Sequence, residues 1–138
     1  MSTATQESVI IGTYLAKGTM GNMGMPGAPI CHFNLIVTPS TNHVSGTVII
    51  TQAIEGPESS ITVQVSGSIR KTGYGDITQI VALKGEYVVS FPPPAIGSYL
   101  ARFEAHMALN NAWDGKGGFT YGNNNIEDVP VTAVKTGE

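Results

Sequence analysis

The chain has 138 residues, 41% of them hydrophobic, with 17 Gly and 8 Pro and a formal net charge of −3. That length fits one domain with a core of its own, and the apolar content excludes a chain too polar to fold. The acidic balance and the dispersed Lys and Arg residues exclude a nucleic-acid binder, which needs a clustered basic stripe.

Residues 1–7 read as a polar tail. Ser8 to Ala16 is β-branched and aromatic, a predicted first strand. Gly18 to Pro29, rich in Gly, Met and Pro without a period, reads as a long loop. Ile30 to Thr38 alternates: Cys31, Phe33, Leu35 and Val37 share one face. Pro39 to His43 is a turn cluster, so Val44 to Ala53 is expected to form a hairpin with the preceding strand. Residues 54–59 connect to Ile61–Ile69, where Ile61, Val63, Val65, Gly67 and Ile69 point one way and Thr62, Gln64, Ser66 and Ser68 the other.

Lys71 to Asp76 is a predicted turn. Ile77–Leu83 and Glu86–Phe91 form either two short strands or one long strand bent at Gly85, where a bulge would fit. Pro92-Pro93-Pro94 stops strand pairing, because proline has no N–H to give a ladder. Tyr99 to Leu109 has helix-forming residues, but Tyr99, Ala101, Phe103, Ala105, Met107 and Leu109 alternate strictly, which predicts a strand. Asn110 to Gly115 is a turn around Trp113. Lys116–Tyr121 and Val129–Val134 are the last strands, separated by Gly122 to Asn125, and 135–138 is a short tail. The expected domain is therefore residues 8–134: all-β, an antiparallel β-sandwich or closed barrel of about eight strands.

Three ordered segments carry a resemblance. Pro26-Gly-Ala-Pro-Ile-Cys-His32 precedes a strand, Val44-Ser-Gly46 leads to Ile50-Thr-Gln-Ala53, and Trp113 is followed by Tyr121 and Glu127-Asp-Val-Pro-Val131. The order resembles a family of small bacterial domains of unknown function. The resemblance implies a compact bacterial β-domain and brings no catalytic residues with it.

Cys31 is the single cysteine, so no disulfide forms within the chain. Its alternation with core residues makes it a small buried hydrophobe rather than a nucleophile. A zinc site needs about four N or S ligands, or three and water. Here Cys31 and His32 point to opposite faces, and His32 with His106 on an adjacent strand is the remaining combination. Paired carboxylates for glycoside chemistry are poorly placed: Glu127 and Asp128 are sequence neighbours, while Glu86 and Glu104 more simply pair with Arg102 or lysines. No catalytic set, metal site or cofactor is therefore expected. The start of the chain lacks the pattern of a secretory signal, and no apolar run approaches a membrane span, so a cytoplasmic location, or export without a cleaved signal, is expected.

Two binding readings remain. From Ile30 to Val65 the only charged residues are Glu55 and Glu58, and strands with neutral faces and unguarded edges pair readily. A structural protein assembling into homo-oligomers follows, with Met20, Met23 and Met25 as an adaptable apolar loop contact. The alternative is a lectin-like module for a neutral glycan, built from Trp113, Asp114, Tyr121, Asn123 and Asn110, since sugars stack on rings and bond to amides and carboxylates. The plainer reading of those residues is that Trp113 caps the core and the asparagines shape turns. A small polar pocket with enzymatic activity is a third possibility.

Overall fold

The computed structural model describes residues 13–53, 60–75, 77–91 and 93–134. Both predicted tails, the first part of the predicted first strand and the 54–59 connection lie outside these. Eight strands run β1 (Tyr14–Met20), β2 (Ile30–Thr38), β3 (His43–Thr51), β4 (Ser60–Tyr74), β5 (Ile77–Ser90), β6 (Ser98–Leu109), β7 (Gly115–Tyr121) and β8 (Asn124–Ala133). They pair antiparallel in chain order, and β1 closes on β8, so the architecture is a barrel rather than a sandwich.

Register fixes the shear. From Met20, pairing leads one way through Cys31 and Ile50 to Ile61. The other way it leads through Val131, Gly115, Leu109 and Gln79 to Lys71. Both routes end on β4, at different positions, and that offset is the strand stagger a tilted eight-stranded barrel requires. Inward positions alternate as the sequence predicts. Cys31, Phe33, Leu35 and Val37, then Val44, Val48 and Ile50, then Ile61, Val63, Val65 and Ile69 are buried. The aromatic rings of Phe103, Phe119 and Tyr121 stack in series within the lumen, with centroids 6.5 Å and 5.9 Å apart, so side chains fill it.

Several boundaries differ from expectation. β1 continues through Gly18 to Met20, which is fully buried. Gly18 makes this possible: a Cβ there would meet Thr132 O and lie 2.7 Å from Phe33 Cζ. Met20 is thus a core residue, and the apolar loop contact read from the sequence loses it; Met23 and Met25 remain exposed in the 21–29 loop. β5 is one strand, in unbroken register across Gly85. Gly85 carries no bulge; it leaves room for Val63 and Val65, whose Cγ1 atoms would lie 2.9 and 3.2 Å from a Cβ at that site. The register shifts fall instead between Lys71 and Tyr74 and between Gly117 and Phe119. β4 runs through the expected turn to Tyr74, and β8 begins at Asn124, leaving Gly122 and Asn123 as a two-residue turn.

Candidate interaction surface

The outer wall has two halves of different chemistry. β2, β3 and β4 up to Ile69 contain no Asp, Glu, Lys or Arg. Their outward rows carry Asn34, Thr47 and Gln64 in one register line and Ile36, Ser45 and Ser66 in another. Thr47 Oγ1 donates to Gln64 Oε1 at 3.2 Å, and His32 and Thr51 are joined at 3.1 Å. Leu15 of β1 sits directly opposite Ile36, and both are exposed. Charges gather on the other half. Lys84 faces Glu104, and Glu86 faces Arg102, across the β5–β6 ladder.

On that charged half, an open hollow of about 720 Å³ is lined by Lys84, Glu104, His106, Thr120 and Glu127. The adjacent Gly117-Gly118 shapes it: a Cβ on Gly118 would come within 3.1 Å of His106 Cε1 and 2.7 Å of Ile126 O. The imidazole therefore lies over the bulged β7 backbone. Lys84, Glu104, His106 and Glu127 are all solvent-exposed. His32 is on β2, and β6 neighbours β5 and β7, so the adjacent-strand pairing of His32 with His106 is corrected: the two stand on different walls. Among the described residues, no three His, Cys, Asp or Glu side chains come together as metal ligands.

The β5–β6 hairpin projects past β7 and parts from β4. β4 pairs with β5 only as far as Gln64–Glu86, and β7 pairs with β6 only as far as Phe103–Tyr121. Beyond those points Tyr87–Ser90 and Ser98–Arg102 pair with each other. Between this arm and the end of β4 lies a cleft of about 450 Å³, walled by Ile61, Thr62, Tyr87, Val88 and Val89. The arm exposes Val88, Phe91, Ile96, Tyr99 and Leu100, with Ile96 96% exposed. Val88 and Leu100 are direct cross-strand neighbours, and the Phe91 and Tyr99 rings are 5.5 Å apart. Tyr99 was expected to share the buried face of β6. It has the right parity, but it lies beyond the rim, where no opposing wall covers it. The alternation alone carried no sign of where the barrel ends.

The residues read as a glycan site are divided between the two ends of β7. Asn110, Trp113 and Asp114 form the β6–β7 loop. Asn110 Oδ1 accepts from the Ala112 and Asp114 amides at 2.8 and 3.1 Å, a side-chain-built turn. Asp114 Oδ1 accepts from the Ala133 amide at 2.9 Å. Trp113, at φ 67°, is folded inward, 5% exposed. Its Nε1 donates to Tyr14 Oη at 3.2 Å, and its ring meets Phe33 at 6.0 Å. Gln79, itself buried, donates to Asn110 O at 2.9 Å and accepts from Lys71 Nζ at 3.4 Å. Tyr121 is buried at the opposite end, its hydroxyl donating to Gln52 Oε1 at 3.5 Å, and exposed Asn123 is in the turn that follows. A seven-residue strand separates the groups, about 20 Å at 3.3 Å per residue.

A family model described as a domain of unknown function (DUF1842) matches residues 11–126. The chain belongs to that family. The DUF1842 match begins before β1 and ends inside β8, so it covers nearly the whole barrel, including the β5–β6 arm and the Trp113 loop. No curated protein matches the chain. Among the described residues, no helix is long and apolar enough to cross a membrane.

Proposed function

We propose that this DUF1842 barrel is a non-enzymatic structural protein that assembles with copies of itself. The observation that carries the reading is the distribution of charge. Three consecutive strands present Ser, Thr, Asn, Gln, His and Ile outward without an Asp, Glu, Lys or Arg before Arg70, and the projecting arm adds five exposed apolar side chains. Solvated walls normally carry interspersed charges that keep copies apart. Exposed apolar groups gathered in one place mark contact surfaces. The sequence resemblance to small bacterial domains accords with a compact module of this kind, in a cytoplasmic setting.

Sedimentation over a wide concentration range tests the proposal. The expected result is a species heavier than the 14.4 kDa chain that persists on dilution. A strict monomer at every concentration removes the reading. The lectin reading is weaker than the sequence made it, because Trp113 and Tyr121 offer no exposed ring face.

A further inference from the structure

The free edge of the arm has a defined hydrogen-bonding polarity. Arg102 O accepts from the Gly122 amide at 3.1 Å, so Arg102 directs its backbone groups away from β5. Gly97 O accepts from the Phe91 amide at 3.0 Å, so the odd residues of this stretch bond toward β5. Alternation along a strand then turns the N–H and C=O of Ser98 and Leu100 outward, beyond the last β7 pairing. Both residues are exposed. Sheet edges are ordinarily guarded by charge, proline or a bulge. Here the stretch from Ser90 to Ala101 carries no charged side chain, and Pro93 and Pro94 precede β6 rather than lying on this edge.

Resting on the self-assembly reading, the geometry points to a two-fold dimer in which β6 of one copy pairs antiparallel with β6 of a second copy. Tyr99 lies on the axis, opposite Tyr99 of the second copy. Ser98 of each chain then faces Leu100 of the other, and each facing pair exchanges both backbone hydrogen bonds, as a narrow antiparallel pair does. All four outward backbone groups of each edge are satisfied at once. Centring on Leu100 instead would oppose Ser98 to Arg102, whose carbonyl Gly122 already occupies. The dimer is also compatible in charge. The paired segment, Ser98 to Leu100, carries no charge, and Arg102 lies outside it beside Gly122, so no like charges meet. The tyrosines and the Phe91 rings beside them come together on one face of a four-stranded sheet, and Leu100 and Val88 on the other. The contact is isologous, since one patch meets itself, and it closes at two copies.

Leu100→Pro is the discriminating variant. Its ring removes an outward N–H that no neighbour among the described residues uses, and proline is tolerated at such edge positions. Tyr99→Lys places like charges on the axis without touching the backbone. Light scattering is expected to give a dimer for the wild type and the monomer mass for both variants, with far-UV circular dichroism unchanged. Tyr99→Cys is expected to form an intermolecular disulfide on mild oxidation, with Cys31 buried and unreactive. Oligomers that survive both variants, or a Tyr99→Cys chain that does not cross-link, overturn this interface while leaving self-assembly standing. A monomeric wild type overturns both. So does a monomer that co-sediments with phosphatidylcholine vesicles through the same arm, which would make lipid the occupant.

Discussion

Cys31 shows how far a single position can be carried by physical argument. It alternates with Phe33 and Leu35, faces the lumen and is fully buried. Burial pushes its thiol from 9.0 up to about 12, because the thiolate would lose its hydration. Between those values the unfolded chain releases a proton that the folded chain retains. Stability therefore falls as pH rises across that window, and the contribution is intact below it. Urea midpoints for wild type and Cys31→Ala, compared at about pH 8 and about pH 10.5, are expected to show a steeper alkaline loss for the wild type. Equal slopes would place the thiol in water. The inward role of Cys31 was legible because parity needs only the local pattern. The role of Gly85 was not: a glycine in a strand signals either a bulge or a close approach, and only the positions of Val63 and Val65 decide between them.

At the scale of elements, the β6–β7 loop is the least exchangeable piece. Trp113 closes one end of the barrel against Tyr14 and Phe33, while Asn110 and Asp114 hold the loop to itself and to β8. Trp113→Ala is expected to cost about 3–5 kcal/mol of unfolding free energy, the usual range for truncating a buried aromatic. Tyr14→Phe, which removes only the hydroxyl that accepts the indole N–H, is expected to cost about 1 kcal/mol. As the single tryptophan, Trp113 reports its own environment: native emission should be blue-shifted and move to the red on unfolding. A red native maximum would mean an exposed ring and would revive the sugar-stacking reading. The strands themselves were readable from alternation, β6 included, against its helical composition. Their lengths were not. The β1 extension to Met20 depends on Gly18 meeting β8 closely, and the growth of β4 and β8 depends on tight hairpins, with Tyr74 opposite Ile77 and Asn124 opposite Tyr121, inside stretches whose Gly and Asn residues read as longer turns. Likewise the glycan set looked coherent only because Trp113 and Tyr121 are close in sequence, and a strand between them carries them apart.

For the whole molecule, closure separates what the sequence left joined. A barrel removes its own edges, so strand pairing between copies has room only where strands outrun their neighbours. The uncharged stretch from β2 into β4 was visible in the sequence, whereas the arm was not, because its existence rests on where β4 and β7 stop pairing. The wall is also unevenly stitched. β1 and β8 share three register positions, Gly18–Ala133, Thr19–Thr132 and Met20–Val131, flanked by bonds from the Gly21 amide to Pro130 O and from the Val134 amide to Lys17 O. Every other seam is longer. A cylinder with one short seam unzips there first, becoming a transient curled sheet with two raw borders. In native-state hydrogen exchange, the Gly21 and Val134 amides should exchange through this partial opening, well ahead of amides in the β4–β5–β6 ladder. Exchange of both only at the rate of global unfolding would mean that the cylinder opens all at once. Because a raw border of this kind templates further strands, the closing of β1 onto β8 doubles as the molecule's safeguard against uncontrolled fibre growth.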